Sequence, residues 1–71
     1  MTHQQSRELR AAFALPGVFE NLGRLSCEAA RAQGRRLSDL DVRYGIRGDW
    51  ISVYGDGTLV VVGRISELVR Q

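Results

Sequence analysis

Few residues of this chain could carry acid–base, nucleophilic or metal chemistry, and their spacing works against it. The single histidine, His3, stands near the N-terminus, where a helix end frays. The single cysteine, Cys27, has no histidine three or four residues away to activate it. An unassisted thiol reads as a bland, partly exposed side chain. Asp39 and Asp41 are two apart and read as turn and cap residues rather than an acid–base pair. A structural zinc site takes about four ligands, and His3 and Cys27 are the only soft ones. Gly45, Gly48, Gly55, Gly57 and Gly63 build no phosphate loop, since no glycine-rich turn feeds a helix and the chain has no lysine. The expectation is no catalytic residue, no metal and no cofactor, hence a protein that is not an enzyme.

Arginine is the other chemically pointed residue. All ten basic residues are Arg, against eight acids, for a formal net charge of +2. A planar guanidinium grips phosphate or carboxylate in bidentate fashion. The charge is spread along the chain, however, which codon bias in a GC-rich genome produces equally well. The first 36 residues carry six Arg against three Glu, and the remaining 35 carry four Arg against five acids. A basic first half therefore meets a slightly acidic second half.

Leu, Ile, Val and Phe make up 20 of the 71 residues, enough for residues 1–71 to fold as a single domain. A chain this short buries only about 60% of the surface its unfolded form exposes. Disulfides, a metal or a partner subunit are the usual remedies. One cysteine cannot pair within the chain, which leaves oligomerisation. The N-terminus has no long apolar run, and no stretch approaches the roughly 18 apolar residues of a membrane span. With a lone cysteine, this predicts a cytoplasmic protein with no membrane partner.

The elements that position these residues follow from periodicity. Residues 4–14 read as a helix with Leu9, Ala12 and Phe13 on one face and Thr2 and Gln5 at capping-box spacing. Leu15-Pro16-Gly17 stops it. Residues 17–33 read as a second helix, with Val18, Leu22, Leu25, Ala29 and Ala32 as the apolar stripe, widened by Phe19 and Ser26. Glu20, Arg24, Glu28 and Arg31 form its polar side, too balanced in charge for a membrane surface. One flank, Gly23, Ser26, Cys27 and Ala30, is smooth enough for another backbone to come close. Gly34 suits a left-handed C-cap. After the connector Leu37–Asp41 the period switches to two. Residues 41–47, 50–55 and 58–63 read as three strands, joined by turns at Gly48-Asp49 and Gly55-Asp56-Gly57. Residues 66–71 suggest a last helical turn capped by Ser66. The predicted fold is α+β: two N-terminal helices packed on one face of a three-stranded antiparallel meander.

A two-residue Gly48-Asp49 loop sets Arg47 opposite Trp50, Ile46 opposite Ile51, Tyr44 opposite Val53 and Arg43 opposite Tyr54. Val42, Tyr44, Ile46, Ile51 and Val53 then face the helices. Arg43, Arg47, Trp50 and Tyr54 share the other face as a candidate partner-binding site with cation–π potential. Either Leu59 and Val61 or Val60 and Val62 join them, depending on the second turn. The run Leu59, Val60, Val61 and Val62, on an edge strand without Lys or Pro to block pairing, supplies candidate dimer contacts. Arg47-Gly48-Asp49 also spells a tripeptide known from integrin ligands, but Gly-Asp is simply a good turn. A helix-turn-helix reading of residues 22–47 fails, because Val42, Tyr44, Gly45 and Gly48 read as strand and turn.

The sequence thus predicts a small binding module acting by protein–protein association, as a homodimeric regulator or inhibitor of a larger protein. Trp, Tyr and Arg are the residues enriched at interface hot spots. The alternatives are a nucleic-acid-binding protein that stacks bases on the same Arg/aromatic face, and an accessory subunit of an enzyme. Cover by the first helix would bury that face and leave it no role. The Arg-rich segment from Arg24 to Arg36 is the next place to look for binding.

Overall fold

The computed structural model describes residues 3–70. Helix α1 (His3–Ala14) and helix α2 (Val18–Ala32) lead through a 3-10 turn (Leu37–Asp39) into strands β1 (Val42–Arg47), β2 (Trp50–Gly55) and β3 (Thr58–Arg64). A one-turn helix α3 (Ile65–Leu68) closes the chain. The sheet is antiparallel in the order β1-β2-β3. This is the α+β architecture expected from the change of period, with strand boundaries within a residue of those predicted. The side chains of the capping box expected at Thr2 and Gln5 lie outside the described residues.

Both helices pack on one face of the sheet, α1 over β1 and α2 over β3. The result is a two-layer slab with extents of 31 × 29 × 16 Å. Phe13 of α1 meets Tyr44 of β1 edge-on, with ring centroids 5.2 Å apart, and meets Phe19 of α2 the same way at 5.3 Å. Val18, Leu22, Ile51 and Val53 are the largest side chains removed entirely from water.

The buried stripe of α2 is rotated from the expected one. Val18, Leu22, Ser26 and Ala30 are buried, whereas Leu25 and Phe19 remain 40% and 54% exposed and Ala32 is exposed. The reason is close approach. Small Ser26 and Ala30, from the smooth flank, turn toward the sheet and let α2 settle onto it. Below them, a Cβ on Gly63 of β3 would stand 3.3 Å from Leu22 Cδ1 and 3.1 Å from Leu68 Cδ1. Buried Ser26 satisfies its hydroxyl by donating to the Leu22 carbonyl at 2.7 Å. Helix α2 ends as expected at Gly34 (φ 72°), where Arg35 N–H donates to Ala30 O at 2.8 Å and Gly34 N–H to Arg31 O at 2.9 Å, the two bonds of a Schellman cap.

The hairpin registers settle which residues share a face. β1 and β2 pair Arg47 with Trp50, Ile46 with Ile51, Tyr44 with Val53 and Arg43 with Tyr54, as the two-residue turn demands. The second turn, Asp56-Gly57, has positive φ at both residues (52° and 82°), the type I′ pattern. β2 and β3 carry a bulge: Tyr54 pairs with Leu59 and Val53 with Val61, which leaves Val60 as the extra residue.

The last helical turn differs from expectation. Its span is Ile65–Leu68, and Ser66 lies inside it rather than capping it. The cap comes from the Gly48-Asp49 turn. Asp49 O accepts the Ile65 N–H at 2.7 Å, and the Asp49 carboxylate accepts the Ser66 N–H at 3.2 Å and the Ser66 hydroxyl at 2.7 Å.

Candidate functional site

The face of the sheet turned away from the helices carries Arg43 and Arg47 from β1, Trp50 and Tyr54 from β2, and Leu59, Val62 and Arg64 from β3. All are exposed. The four apolar side chains among them are large: Trp50 is 48% exposed, Leu59 47%, Val62 40% and Tyr54 37%. Helix α1 lies on the opposite side of the sheet, against Tyr44, so it does not cover this face.

Three local relationships shape the surface. Arg64 pairs with Trp50 across β2 and β3 and holds its guanidinium carbon 5.2 Å from the indole centroid, within cation–π range. The Tyr54 ring leans over Gly45, where an added Cβ would meet Tyr54 Cε2 at 3.5 Å. The bulge sends Leu59 and Val62 outward together, a combination neither simple register provides. Val60 is buried and Val61 half-buried on the helix side, so the exposed apolar surface of β3 comes down to Leu59 and Val62.

The charge on this face is partly neutralised by its own turns. Arg43 pairs with Asp41 at 3.3 Å and Arg64 with Asp49 at 3.5 Å. Arg47 has no ion-pair partner among the described residues. The Ser66 hydroxyl, the Ser66 amide and the neighbouring Arg64 hold the Asp49 carboxyl below its ordinary range. That carboxylate is engaged within the chain, so the Arg47-Gly48-Asp49 tripeptide works here as a turn that caps α3.

Of the four residues picked out from sequence, the structure brings Arg43, Arg47, Trp50 and Tyr54 onto one face, with the aromatics at its centre. The cation over the tryptophan is Arg64, which the sequence reading missed. Its signal was faint: Arg64 follows the last apolar residues of β3 and opposes Trp50 only once the bulged register is known. Cys27 is exposed on α2, outside its buried stripe. Asp41 is taken up by Arg43 and by a backbone bond from Asp56 N–H to its carbonyl at 3.1 Å. Among the described residues, no three His, Cys, Asp or Glu side chains gather as a metal site, and no helix is long and apolar enough to cross a membrane. No protein-family model, curated protein or solved structure matches this chain.

Proposed function

We propose that this chain is a non-enzymatic association module whose outer sheet face packs against the same face of a second copy. The observation that carries the proposal is the apolar cluster of Trp50, Tyr54, Leu59 and Val62 on a sheet face that no element among the described residues covers. Two such sheets packed face to face form a sandwich, burying the aromatic centre and leaving the arginines at a wet rim. A two-fold arrangement makes the contact self-complementary and closes it at two copies. A homodimer of this kind could in turn act as a regulator or inhibitor of a larger protein.

The internal pairing of Arg43 and Arg64 with Asp41 and Asp49 weighs against a nucleic-acid platform, because each carboxylate offsets a charge that a phosphate would need. Sedimentation equilibrium at micromolar concentration tests the reading. The expected result is a dimer that Trp50→Asp or Leu59→Asp converts to a folded monomer. A single species of 7.9 kDa for the parent chain would overturn self-association.

A further inference from the structure

We propose that the cleft between the end of α2 and the following 3-10 turn binds a phosphate-bearing ligand. The cleft has a volume of about 390 Å³ and is lined by Cys27, Arg31, Arg35, Arg36, Leu37 and Ser38. It shares no residue with the outer sheet face, so this site does not depend on the association surface.

The local fold gathers the charge. The Schellman cap at Gly34 reverses the chain and brings Arg35 and Arg36 back beside Arg31 of the last helical turn. The same cap occupies the Ala30 and Arg31 carbonyls with the Arg35 and Gly34 amides, so the negative end of the helix is partly masked from the cleft. Arg35 is anchored: it donates to Gly55 O at 3.4 Å and pairs with Asp56 at 3.7 Å. Arg31 and Arg36 are exposed and have no ion-pair partner among the described residues. No carboxylate lines the cleft. Three guanidiniums against one outlying carboxylate leave an excess of positive charge that an oxyanion would neutralise.

Arginine forks match phosphate oxygens in bidentate geometry and form charge-assisted hydrogen bonds. The volume lies at the small end of ligand pockets, about 300–1,000 Å³, which suits a pyrophosphate or a compact phosphate ester. Leu37 and the Ser38 hydroxyl would then meet the rest of the ligand.

The single thiol in the wall makes the site readable. Dithionitrobenzoate, an anionic aromatic disulfide, forms a mixed disulfide with the Cys27 thiolate and releases one coloured thionitrobenzoate. With pyrophosphate as the probe at low ionic strength, we expect saturable slowing of this reaction. Iodoacetamide, which is neutral, should be slowed by the same bound ligand. The Arg31→Ala/Arg36→Ala variant keeps Arg35 and its tie to Asp56, and its fold is checked by circular dichroism. It should react more slowly with the anionic reagent and lose pyrophosphate protection, with affinity down about tenfold or more. Arg31→Lys separates bidentate recognition from simple charge, and partial protection there is the expected result. A short single-stranded oligonucleotide, run in parallel, identifies the source of the phosphate. Protection by the oligonucleotide at far lower concentration assigns it to a nucleic-acid backbone. Protection by pyrophosphate alone assigns it to a small phosphate compound. Protection by neither, or protection that survives in the double variant, overturns the proposal.

Discussion

Arg64 stands directly across the strand pair from Trp50, with its guanidinium carbon 5.2 Å from the indole centroid and its Nε 3.5 Å from the Asp49 carboxylate. The tryptophan at the centre of the outer face is thus steadied on one side by a cation that a neighbouring turn holds in place. An exposed cation–π contact contributes about 0.5–1 kcal/mol, less than a buried aromatic anchor contributes at an interface.

That difference predicts an order of effects on self-association. Trp50→Ala should weaken the dimer by about 2 kcal/mol or more, as hot-spot aromatics do. Arg43→Ala, Arg47→Ala and Arg64→Ala should each cost less than about 1 kcal/mol, because they lie at a hydrated rim. Sedimentation equilibrium at two salt concentrations measures both. Arginine changes that outweigh Trp50→Ala would instead favour nucleic acid. Affinity for oligonucleotides should then fall with salt by a slope near −0.7 per phosphate on single strands.

The register of the first hairpin was legible because a two-residue Gly48-Asp49 turn leaves only one pairing, and that pairing put Trp50 and Tyr54 beside Arg43 and Arg47. The second hairpin was not, because four consecutive apolar residues, Leu59 to Val62, show no alternation to choose a face. A bulge resolves the ambiguity by turning Val60 and Val61 both inward. Nothing local marks it: the space Val60 fills lies beside Gly55 and Leu40, on other elements. The stripe of α2 was misplaced for a related reason. Hydrophobicity favours Leu25 over Ser26, but the sheet rewards close approach and takes the smaller side chain.

The rotated stripe yields a stability prediction. Leu22 and Ile51 are 1% and 0% exposed, whereas Leu25 is 40% exposed. Leu22→Ala and Ile51→Ala should each cost about 2–5 kcal/mol. Total stability for a domain of this size is on the order of 5 kcal/mol, so either variant could unfold it. Leu25→Ala should cost markedly less in urea denaturation of the monomeric Trp50→Asp background. Equal losses at Leu22 and Leu25 would show that α2 presents a different face to the sheet.

Gly55 is the glycine with the least room for a side chain. A Cβ there would sit 2.6 Å from Leu40 Cδ1 and 3.2 Å from Val60 Cγ2. Gly55→Ala should destabilise by about 1–3 kcal/mol through overpacking. The same change should cost less in a Leu40→Ala background, since the crowding atom is gone, and a double-mutant cycle reads the coupling. Gly23 is the contrast. It lies within α2 with nothing within 4 Å of an added Cβ, so Gly23→Ala should stabilise by about 0.5–1 kcal/mol.

The last prediction concerns Asp49 and acid. Its carboxylate accepts the Ser66 hydroxyl at 2.7 Å and the Ser66 amide at 3.2 Å, with Arg64 alongside at 3.5 Å. The Ser66 hydroxyl first, then the Ser66 amide and Arg64, favour the charged form and hold the folded-state pKa below the ordinary carboxylate value, against the opposing effect of desolvation. In the unfolded chain the contacts are gone and the pKa returns to about 3.9. The unfolded state therefore binds the proton more readily. The contribution of Asp49 to stability is present in full above the unfolded pKa and is lost as pH falls through the folded one. Asp49→Asn should lower stability by a constant amount between neutral pH and about pH 5, and the gap to the parent should close below about pH 4. Ser66→Ala removes the largest cause of the shift, so it should flatten the same acid dependence. Urea midpoints across a pH series measure both variants. A gap that widens on acidification would mean that Asp49 is not held in its charged form by the cap it makes on α3.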